Sequence, residues 1–266
     1  MYLRENLFYM IPFKKIALIG AGNVACNIVK VLRNNGIEPF CIYTRSANKV
    51  QEIQEKIGIK AVCNYSEMQD CDLVIIAVKD DAIKEVSLNL NNFKALVVHT
   101  SGTQSSSLLK HLDNYGIMYP LQTFSKDVDV DFKQIPFLIN ASSAENLEKL
   151  RMFVKRLSDV VIECTDENRI FIHMSAVYVS NFVNVMLQIG NKFLEEKGLD
   201  VSVMRPLVME TVKKAFAMGA ENALTGPARR GDSDTINKHK LMLSDYNDEK
   251  KIYELLTNYI LKKYNK

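Results

Sequence analysis

The sequence has few of the features that mark metal-binding, disulfide-linked or nucleic-acid-binding proteins. Its five cysteines are Cys26, Cys41, Cys63, Cys71 and Cys164, and none of them form a C-x-x-C pair. Because the number is odd and most of them lie in apolar segments, we expect small core residues in a reducing compartment and no structural metal. The formal net charge is only +3 and no dense basic run is present. Nothing in the charge pattern therefore favours a nucleic-acid partner.

Long apolar runs are also scarce. No stretch approaches the roughly 20 apolar residues of a membrane span by inspection, and Arg4 and Glu5 interrupt the apolar residues near the N-terminus, unlike a signal peptide. We expect a cytoplasmic protein without membrane contact. The 266 residues are 47% hydrophobic and 24% charged, which is an ordinary globular composition for one large domain or two moderate ones.

The most informative stretch is a strand, a glycine turn and a helix in succession. The apolar run Ile16–Ile19 predicts a buried parallel strand, and it is followed by Gly20, Gly22 and then a helical pattern. Glycine at these positions permits a tight turn and the close approach of a pyrophosphate to helix N–H groups, while Ala25 allows close helix packing. This pattern predicts a dinucleotide site. Its expected contacts are Gly20, Gly22, Asn23 and Val24.

The end of the second predicted strand indicates which dinucleotide is bound. An NAD site usually has Asp or Glu here for the ribose 2′-hydroxyl, whereas this chain has Thr44, Arg45 and Ser46. A carboxylate would repel a 2′-phosphate, and an arginine between two hydroxyls would accept it. The corner therefore favours NADP; the alternative is that Arg45 is simply a solvated residue.

Further candidate cofactor contacts follow the next two strong strands. Val78 and Lys79 end one, and Thr100 and Ser101 end the other, so all four are expected near the cofactor at the carboxyl edge of the sheet. We interpret one of the pair Asp80 and Asp81 as a helix cap. His99 lies within the strand period and is expected in the core.

About eight strands alternate with helices up to residue 164, and only helices are predicted after it. We therefore expect a doubly wound α/β domain over residues 1–164 and an all-helical domain over residues 165–266. The helix predicted from Asp166 to about Lys197 is apolar on more than one face. One face can pack within the chain, and the other favours a homodimer.

With both halves considered, the chain resembles a known family. Its matching motifs are the Gly20-Ala-Gly-Asn-Val turn, the Thr44-Arg-Ser46 corner, Ala77-Val-Lys-Asp-Asp-Ala82, His99-Thr-Ser-Gly102, Tyr119-Pro-Leu-Gln-Thr-Phe124, the helix from His173 to Asn181 and Leu224-Thr-Gly-Pro-Ala-Arg-Arg-Gly-Asp232. They are similar to those of the pyrroline-5-carboxylate reductase and β-hydroxyacid dehydrogenase group, in the branch of NADP oxidoreductases related to deazaflavin-dependent NADP reductases. The resemblance implies a Rossmann domain, NADP, and a helical domain of the 6-phosphogluconate dehydrogenase C-terminal type.

The resemblance also indicates where catalysis would take place. Relatives have a lysine on the first long helix and an asparagine four residues later; Asn181 matches the asparagine, but Val177 stands at the lysine position. His173 lies one helical repeat before Val177, on the face predicted to carry Asn181. An imidazole readily exchanges a proton near neutral pH, so His173 is a candidate acid or base. Together with Asn181 and Ser101 it completes the set of candidate catalytic residues. Packing at the domain junction is the alternative for His173.

Four residues are candidates for substrate contacts. Arg229 and Arg230 lie in the Gly-Pro turn at 226–232 and offer guanidinium groups to an anionic substrate, or alternatively to an interface salt bridge. Tyr119 and Gln122 flank Pro120 at a predicted strand end. In relatives of this branch a histidine often occupies the position of Tyr119, so the resemblance implies a hydrogen-bond donor here rather than a proton carrier.

These patterns predict an NADP-dependent oxidoreductase that transfers hydride between nicotinamide and a small carbonyl, imine or hydroxy acid. The alternative is a sensor or regulatory protein that binds NADP without turnover, which the missing lysine favours. Reduction of a deazaflavin is a third and weaker interpretation. The sequence does not name the substrate.

Overall fold

The computed structural model describes residues 12–125 and 128–264. The chain divides into two compact units, the first ending at Ser180 and the second beginning at Asn181. We call them unit 1 and unit 2. The sequence predicts a domain boundary at residue 164, where the strands end. That boundary stays a prediction.

A single mixed sheet forms the framework of unit 1. Its strands are β1 (Ile16–Ile19), β2 (Cys41–Tyr43), β3 (Ala61–Val62), β4 (Leu73–Ile76), β5 (Leu96–His99), β6 (Tyr115–Pro120), β7 (Phe137–Ala141) and β8 (Val161–Glu163). Their order in the sheet is β3-β2-β1-β4-β5-β6-β7-β8. Every neighbouring pair is parallel except β6 and β7, which are antiparallel. The predicted doubly wound, mostly parallel sheet is confirmed.

The sheet is buried on both faces, which explains the uninterrupted apolar runs of its central strands. In β1, Ile16 and Leu18 belong to one core cluster, whereas Ala17 and Ile19 belong to the other. Successive side chains of a strand point to opposite faces. Each cluster therefore covers one face of the sheet, as crossover helices require in a parallel sheet.

The described part of unit 1 contains five α-helices. They are α1 (Asn23–Asn34), α2 (Val50–Ile57), α3 (Ile83–Leu88), α4 (Ala144–Leu157) and α5 (Asp166–Ala176). Side-chain oxygens cap two of them: Ser143 Oγ accepts from Asn146 N at 3.1 Å, and Thr165 Oγ1 accepts from Asn168 N at 3.2 Å. A short 3-10 turn, Ser106–Leu109, follows β5.

Unit 2 contains only helices in its described part, residues 181–264. They are α6 (Phe182–Glu195), α7 (Arg205–Met218), α8 (Ala220–Ala223), α9 (Pro227–Arg230), α10 (Ser233–Met242) and α11 (Asn247–Tyr264). The Gly-Pro turn at 226–232 includes the helical turn α9. Asp232 caps α10, because its Oδ1 accepts from Thr235 N at 3.0 Å.

The chain between α5 and α6 departs from α-helical geometry. Val177–Asn181 forms a π-helical turn, which has more residues per turn than an α-helix. The prediction that His173 and Asn181 share one helical face assumed α-helical spacing throughout, which this segment does not have. Their common face stays a prediction.

One helical segment is apolar enough to correct an expectation about membrane spans. Asp166–Glu195 is 30 residues long, and its 18-residue window of mean hydropathy 1.5 lies at the surface of this chain. By length and composition alone it could span a bilayer, so the expectation that no stretch approaches such a span is wrong. Polar residues interrupt the apolar runs of this segment, so inspection of the sequence did not reveal the window. Core helices of proteins without membrane contact meet the same criterion.

His99 ends β5 inside the sheet, as predicted for a core histidine. Its side chain is 0% exposed, and Nδ1 accepts from Ser101 N at 3.2 Å. Burial, together with the nearby Arg169 guanidinium, lowers the pKa of His99 to about 4. The ring is therefore neutral at pH 7, and the bond to Nδ1 places its proton on Nε2.

This buried imidazole predicts a pH dependence of folding stability. The unfolded ring binds a proton below about pH 6.5, but the folded ring binds one only near pH 4. His99 thus contributes stability above pH 6.5 that is lost as the pH falls to 4, by roughly 3 kcal/mol. His99→Gln should flatten this part of the curve of unfolding free energy against pH, as measured by denaturant titration. Parallel curves for the two proteins would contradict the assignment.

Candidate functional site

The turn after β1 shows why its first glycine cannot be replaced without strain. Gly20 has φ +108, and a Cβ built on it would lie 2.4 Å from the Ala77 carbonyl oxygen. The turn is thus packed against the backbone at the end of β4. Gly22 differs: its φ is −80 and no atom lies within 4 Å of an added Cβ. The open space at Gly22 is what a phosphate would need at the start of α1.

The predicted contact Asn23 has a structural partner. Its Nδ2 donates to the Phe124 carbonyl at 3.0 Å, and Asn27 Nδ2 donates to the Ser125 carbonyl at 3.1 Å. These bonds hold the segment after β6 beside the start of α1. Val24 is half-buried in the same turn. Asn23 and Val24 therefore offer the helix N-terminus mainly through their backbone N–H groups.

A pocket of about 770 Å³ opens beside this turn. It lies wholly in unit 1, and five of the residues predicted to bind the cofactor line it: Gly20, Thr44, Arg45, Val78 and Lys79. Tyr65 adds an aromatic wall and stacks on Tyr43 with ring centroids 4.2 Å apart. The volume and the mixed lining are typical of small-ligand and cofactor sites.

Charge is distributed unevenly around the pocket. Arg45 and Lys79 are exposed cations on its wall, whereas Asp81 and Glu85 supply carboxylates. An anionic group would therefore be attracted toward Arg45 and kept away from the acidic side. Ser46 lies next to Arg45 at the start of the 3-10 turn Ala47–Lys49.

Thr100 connects two strands near this edge. Its backbone N–H donates to the Ile76 carbonyl at 3.1 Å, and its hydroxyl approaches the same oxygen at 3.4 Å. It therefore extends the pairing of β5 with β4. The side chain is half-buried, at the carboxyl edge where the cofactor was predicted.

The loop after β5, residues 101–106, is held on one side by Asp80. Asp80 Oδ2 accepts from Ser101 Oγ at 2.8 Å and from Thr103 Oγ1 at 2.6 Å. Ser101 Oγ also accepts from Thr103 N and Gln104 N, at 3.1 and 3.0 Å. Its hydroxyl is thus fully used within the loop. The interpretation of one of Asp80 and Asp81 as a helix cap is wrong, because the cap positions are Lys79 and Ala82 and neither makes a side-chain cap bond. Asp80 instead joins the ends of β4 and β5.

His173 and Tyr119 meet over the same loop. His173 Nδ1 lies 3.0 Å from the Tyr119 hydroxyl, and both side chains are half-buried. Gly102 makes the approach possible, because a Cβ there would lie 2.4 Å from His173 Nδ1. Burial raises the pKa of Tyr119, so its hydroxyl keeps its proton. Sequence reasoning named both residues but did not bring them together.

Two further residues at this place were not found from the sequence. Arg169 is 0% exposed, and its guanidinium bonds the Asp166 carboxylate and the Gln104 carbonyl oxygen. Asp166 in turn accepts from Ser105 and Ser106 in the loop after β5. The only local signal was their spacing, since Asp166, Arg169 and His173 recur on one face of a predicted helix.

The candidate residues of unit 2 have local environments of their own. Asn181 is exposed at the end of the π-helical turn. Arg229 lies over the Tyr264 ring, 4.0 Å from its centroid, and Arg230 Nη2 lies 4.0 Å from Asp232 Oδ2. Neither arginine is deeply buried, so both retain donors for an anion.

Two further polar side chains, the predicted substrate contact Gln122 and His239, bond within their own units. Gln122 Oε1 accepts from Thr123 N at 2.8 Å, so this exposed side chain stabilises its own turn. His239, in unit 2, pairs through Nδ1 with the Tyr253 hydroxyl at 3.0 Å. His239 and Tyr253 belong to the lining of a mostly apolar pocket of about 340 Å³ in unit 2.

Comparison with known families divides the chain in two. Residues 15–101 match the family described as NADP oxidoreductase, coenzyme F420-dependent. Residues 135–260 match a domain of unknown function, DUF2520. The first match covers the glycine turn, the pocket and β5, and the second covers α5 and most of unit 2.

The curated relatives cover little of the chain. Glutamyl-tRNA reductase of Sulfolobus acidocaldarius is 29% identical over 76 residues, which is 28% of this chain. The match spans only 18% of the length of that protein. It reports a shared segment rather than a shared activity.

Solved structures give a fuller comparison. A pyrroline-5-carboxylate reductase from Coxiella burnetii is 19% identical, with 95% of this chain and 97% of that chain covered and a TM-score of 0.57. An imine reductase from Myxococcus stipitatus, in complex with NADP⁺, is 14% identical, with 95% and 100% covered and a TM-score of 0.63. At these identities the likeness is one of fold.

A nearer structure shows the family. A Bacteroides fragilis protein described as a "putative NADP oxidoreductase" is 35% identical, with a TM-score of 0.87, and the alignment covers 95% of this chain and 100% of that one. The predicted resemblance is confirmed. The chain belongs to the family of Rossmann-fold NADP oxidoreductases that this Bacteroides protein represents.

Proposed function

We propose that the protein uses NADP to transfer hydride to or from a small carbonyl, imine or hydroxy-acid substrate. One continuous path of contacts carries the proposal. Lys79 lines the cofactor pocket, and the adjacent Asp80 binds Ser101 and Thr103. Gly102, between those two, contacts His173. A dinucleotide pocket and a titratable pair thus adjoin the same loop.

The residues present fit NADP. Gly22 leaves room at the start of α1 for a pyrophosphate, and Thr44 and Arg45 stand at the pocket wall where a 2′-phosphate would bind. A guanidinium forms charge-assisted bonds to phosphate. When bound, the nicotinamide would supply the hydride chemistry. The residues of this chain would bind and orient the cofactor and the substrate and would transfer the proton.

The Tyr119–His173 pair is the proposed proton carrier. In the neutral ring, the Tyr119 hydroxyl donates to Nδ1, which leaves the ring proton on Nε2. If Nδ1 is protonated as well, the tyrosine oxygen accepts instead and Nε2 can deliver its proton. Ser101 has no donor to spare, so we assign it to shaping the loop. Asn181, Gln122, Arg229 and Arg230 stay proposed substrate contacts.

The rival function is a sensor that binds NADP without turnover. The specific observation in its favour is Val177, at the position where relatives have a catalytic lysine. The two functions differ in turnover alone. An enzyme consumes NADPH in the presence of a suitable carbonyl or imine, whereas a sensor only binds it.

The Arg45 corner predicts which cofactor is bound. Calorimetric titration should show that NADPH binds more tightly than NADH. Arg45→Ala should weaken NADPH binding by roughly 10- to 100-fold, because it removes charge-assisted bonds to the 2′-phosphate. NADH binding should be unchanged in this variant.

Two further variants separate the causes of any change. Lys49→Ala removes a neighbouring exposed cation and should leave both affinities as they are. Gly22→Ala meets no atom within 4 Å in the protein alone, so it should fold normally and yet lose both nucleotides. Equal binding of NADPH and NADH by the wild type would overturn the NADP assignment, and binding of neither would overturn both proposed functions.

The Tyr119–His173 pair predicts turnover of a suitable substrate. A panel of 2-oxo acids, aldehydes, cyclic imines and a deazaflavin, incubated with NADPH, should contain a compound that is reduced. For that compound His173→Phe should lower kcat by about 10²- to 10⁴-fold, since it removes the proton carrier. NADPH affinity should be preserved, because the cofactor pocket is lined by other residues.

A histidine elsewhere in unit 1 provides the control. His111 Nε2 contacts the Ser87 carbonyl at 3.2 Å, and His111→Phe should leave kcat unchanged. Full activity in His173→Phe would remove His173 from the mechanism. Tight NADPH binding without reduction of any compound would favour the sensor.

We further propose that residues 165–266 form a helical substrate and dimerisation domain. Of the described residues 181–264, only Ile236 and Thr257 are buried in the single chain. Large apolar side chains remain at the surface, among them Phe216 at 89% exposed. Exposed apolar area of this extent is unusual in a monomer, which supports a homodimer.

Light scattering should therefore give twice the mass of one chain. Phe216→Glu should shift the protein toward the monomer, because a carboxylate would be desolvated in the contact. Leu88→Glu changes an exposed apolar residue of unit 1, 51% exposed, and should leave the mass unchanged. A wild-type mass of one chain would disprove the dimer.

A further inference from the structure

Arg169 is an unusual residue to find in the interior of unit 1. Its guanidinium is 0% exposed and lies near enough to Tyr119 that, although burial raises the pKa of that hydroxyl, the positive charge lowers the pKa in part. Its Nε is buried and has no hydrogen-bond partner among the described residues. Burial of a charged group is unfavourable unless it is paired and bonded, so the contacts that Arg169 does make need an explanation.

Those contacts join the start of α5 to the loop after β5. Arg169 Nη1 donates to Asp166 Oδ1 at 2.6 Å, and Nη2 donates to the Gln104 carbonyl oxygen. Asp166 Oδ2 accepts from Ser105 Oγ at 2.7 Å, and from Ser106 N and Oγ at 2.9 Å. We call these five residues the α5 clamp.

The carboxylate of the clamp is held in its ionised form. Burial alone would raise the pKa of Asp166, but hydrogen bonds from Ser105, Arg169 and Ser106 lower it overall. The clamp is therefore a charged bridge under ordinary conditions. It fixes both the rotation of α5 about its axis and the path of the loop.

The position of His173 depends on that rotation. Arg169 and His173 are four residues apart on α5, so they project from the same face on successive turns. One turn beyond the clamp, His173 Nδ1 reaches the Tyr119 hydroxyl over Gly102. Gly102 is two residues before Gln104 in the loop that the clamp holds. Rotation of the helix or movement of this loop would separate the pair.

We propose that Arg169, through the α5 clamp, is a positioning residue that holds His173 against Tyr119. The inference rests on the proposed function only in the claim that this pair serves the reaction; the placement itself follows from the contacts. Arg169 has no direct part in proton transfer. A guanidinium fork suits the role because it binds two oxygens in fixed directions.

The test compares Arg169→Met with the wild type in the cofactor-free protein by NMR. The wild type should show the His173–Tyr119 ring contact, with centroids 5.9 Å apart, and a ¹⁵N shift of His173 Nδ1 typical of a hydrogen-bonded nitrogen. Arg169→Met should lose both signals while the chain remains folded. Arg169→Lys should recover them in part, since an ammonium can replace one bond but not the fork.

Activity on the substrate found by the NADPH panel supplies a second readout. Arg169→Met should lower kcat by about 100-fold, as expected for misplacement of a reacting group, with the NADPH affinity unchanged. Arg156→Met is the matched control, because Arg156 also has a buried Nε without a partner but lies on α4. It should change neither the NMR signals nor kcat.

The outcomes separate this inference from the proposed function. If Arg169→Met keeps the ring contact, Arg169 is not a positioning residue, whatever the activity. If the contact is lost but His173→Phe is fully active, the positioning stands and the role of His173 in the reaction falls. Should Arg169→Met not fold, the double variant Ser105→Ala/Ser106→Ala weakens the clamp without exposing a buried charge. Retention of both NMR signals there would also overturn the proposal.

Discussion

Parallel pairing of β1 with β2 and β4 is the constraint on which the rest of unit 1 depends. Parallel strands leave the sheet at one edge, so the turns that follow them lie side by side. The turn at Gly20 consequently packs against the Ala77 carbonyl, which leaves no room for a side chain. The same arrangement places Thr44 and Lys79 on one pocket wall. The pocket is thus a consequence of strand direction more than of any single side chain.

The loop after β5 shows how the same edge can hold reactive groups in place. Asp80 binds its beginning and Asp166 binds its end. Both carboxylates have hydroxyl donors, so the loop is fixed at two points by strong, directional bonds. Gly102 lies between these points, where His173 approaches. Precise placement of a functional group requires such support from residues that do not themselves react.

The sequence predicted what is local and repeated. Apolar runs indicated the eight strands. The glycine turn and the Arg45 corner, singled out from local motifs, line one pocket. The sequence did not predict contacts between distant segments, such as that of Asp80 with Ser101, because neither periodicity nor spacing specifies them. Arg169 was missed for the same reason. The π-helical turn at Val177–Asn181 was not predicted either, because such a turn has no distinct sequence signal.

Apolar periodicity shows that a surface must be covered, but it does not show by what. In β1 the cover comes from the same chain, since parallel strands need crossover segments that pack on the sheet. A helix has no such requirement. Val183, Val185 and Leu187 of α6 are as apolar as the strand residues, and yet each remains exposed in the single chain. In the proposed homodimer a second copy would cover them. Apolar residues thus form a core in unit 1, whereas in unit 2 they remain exposed in the single chain.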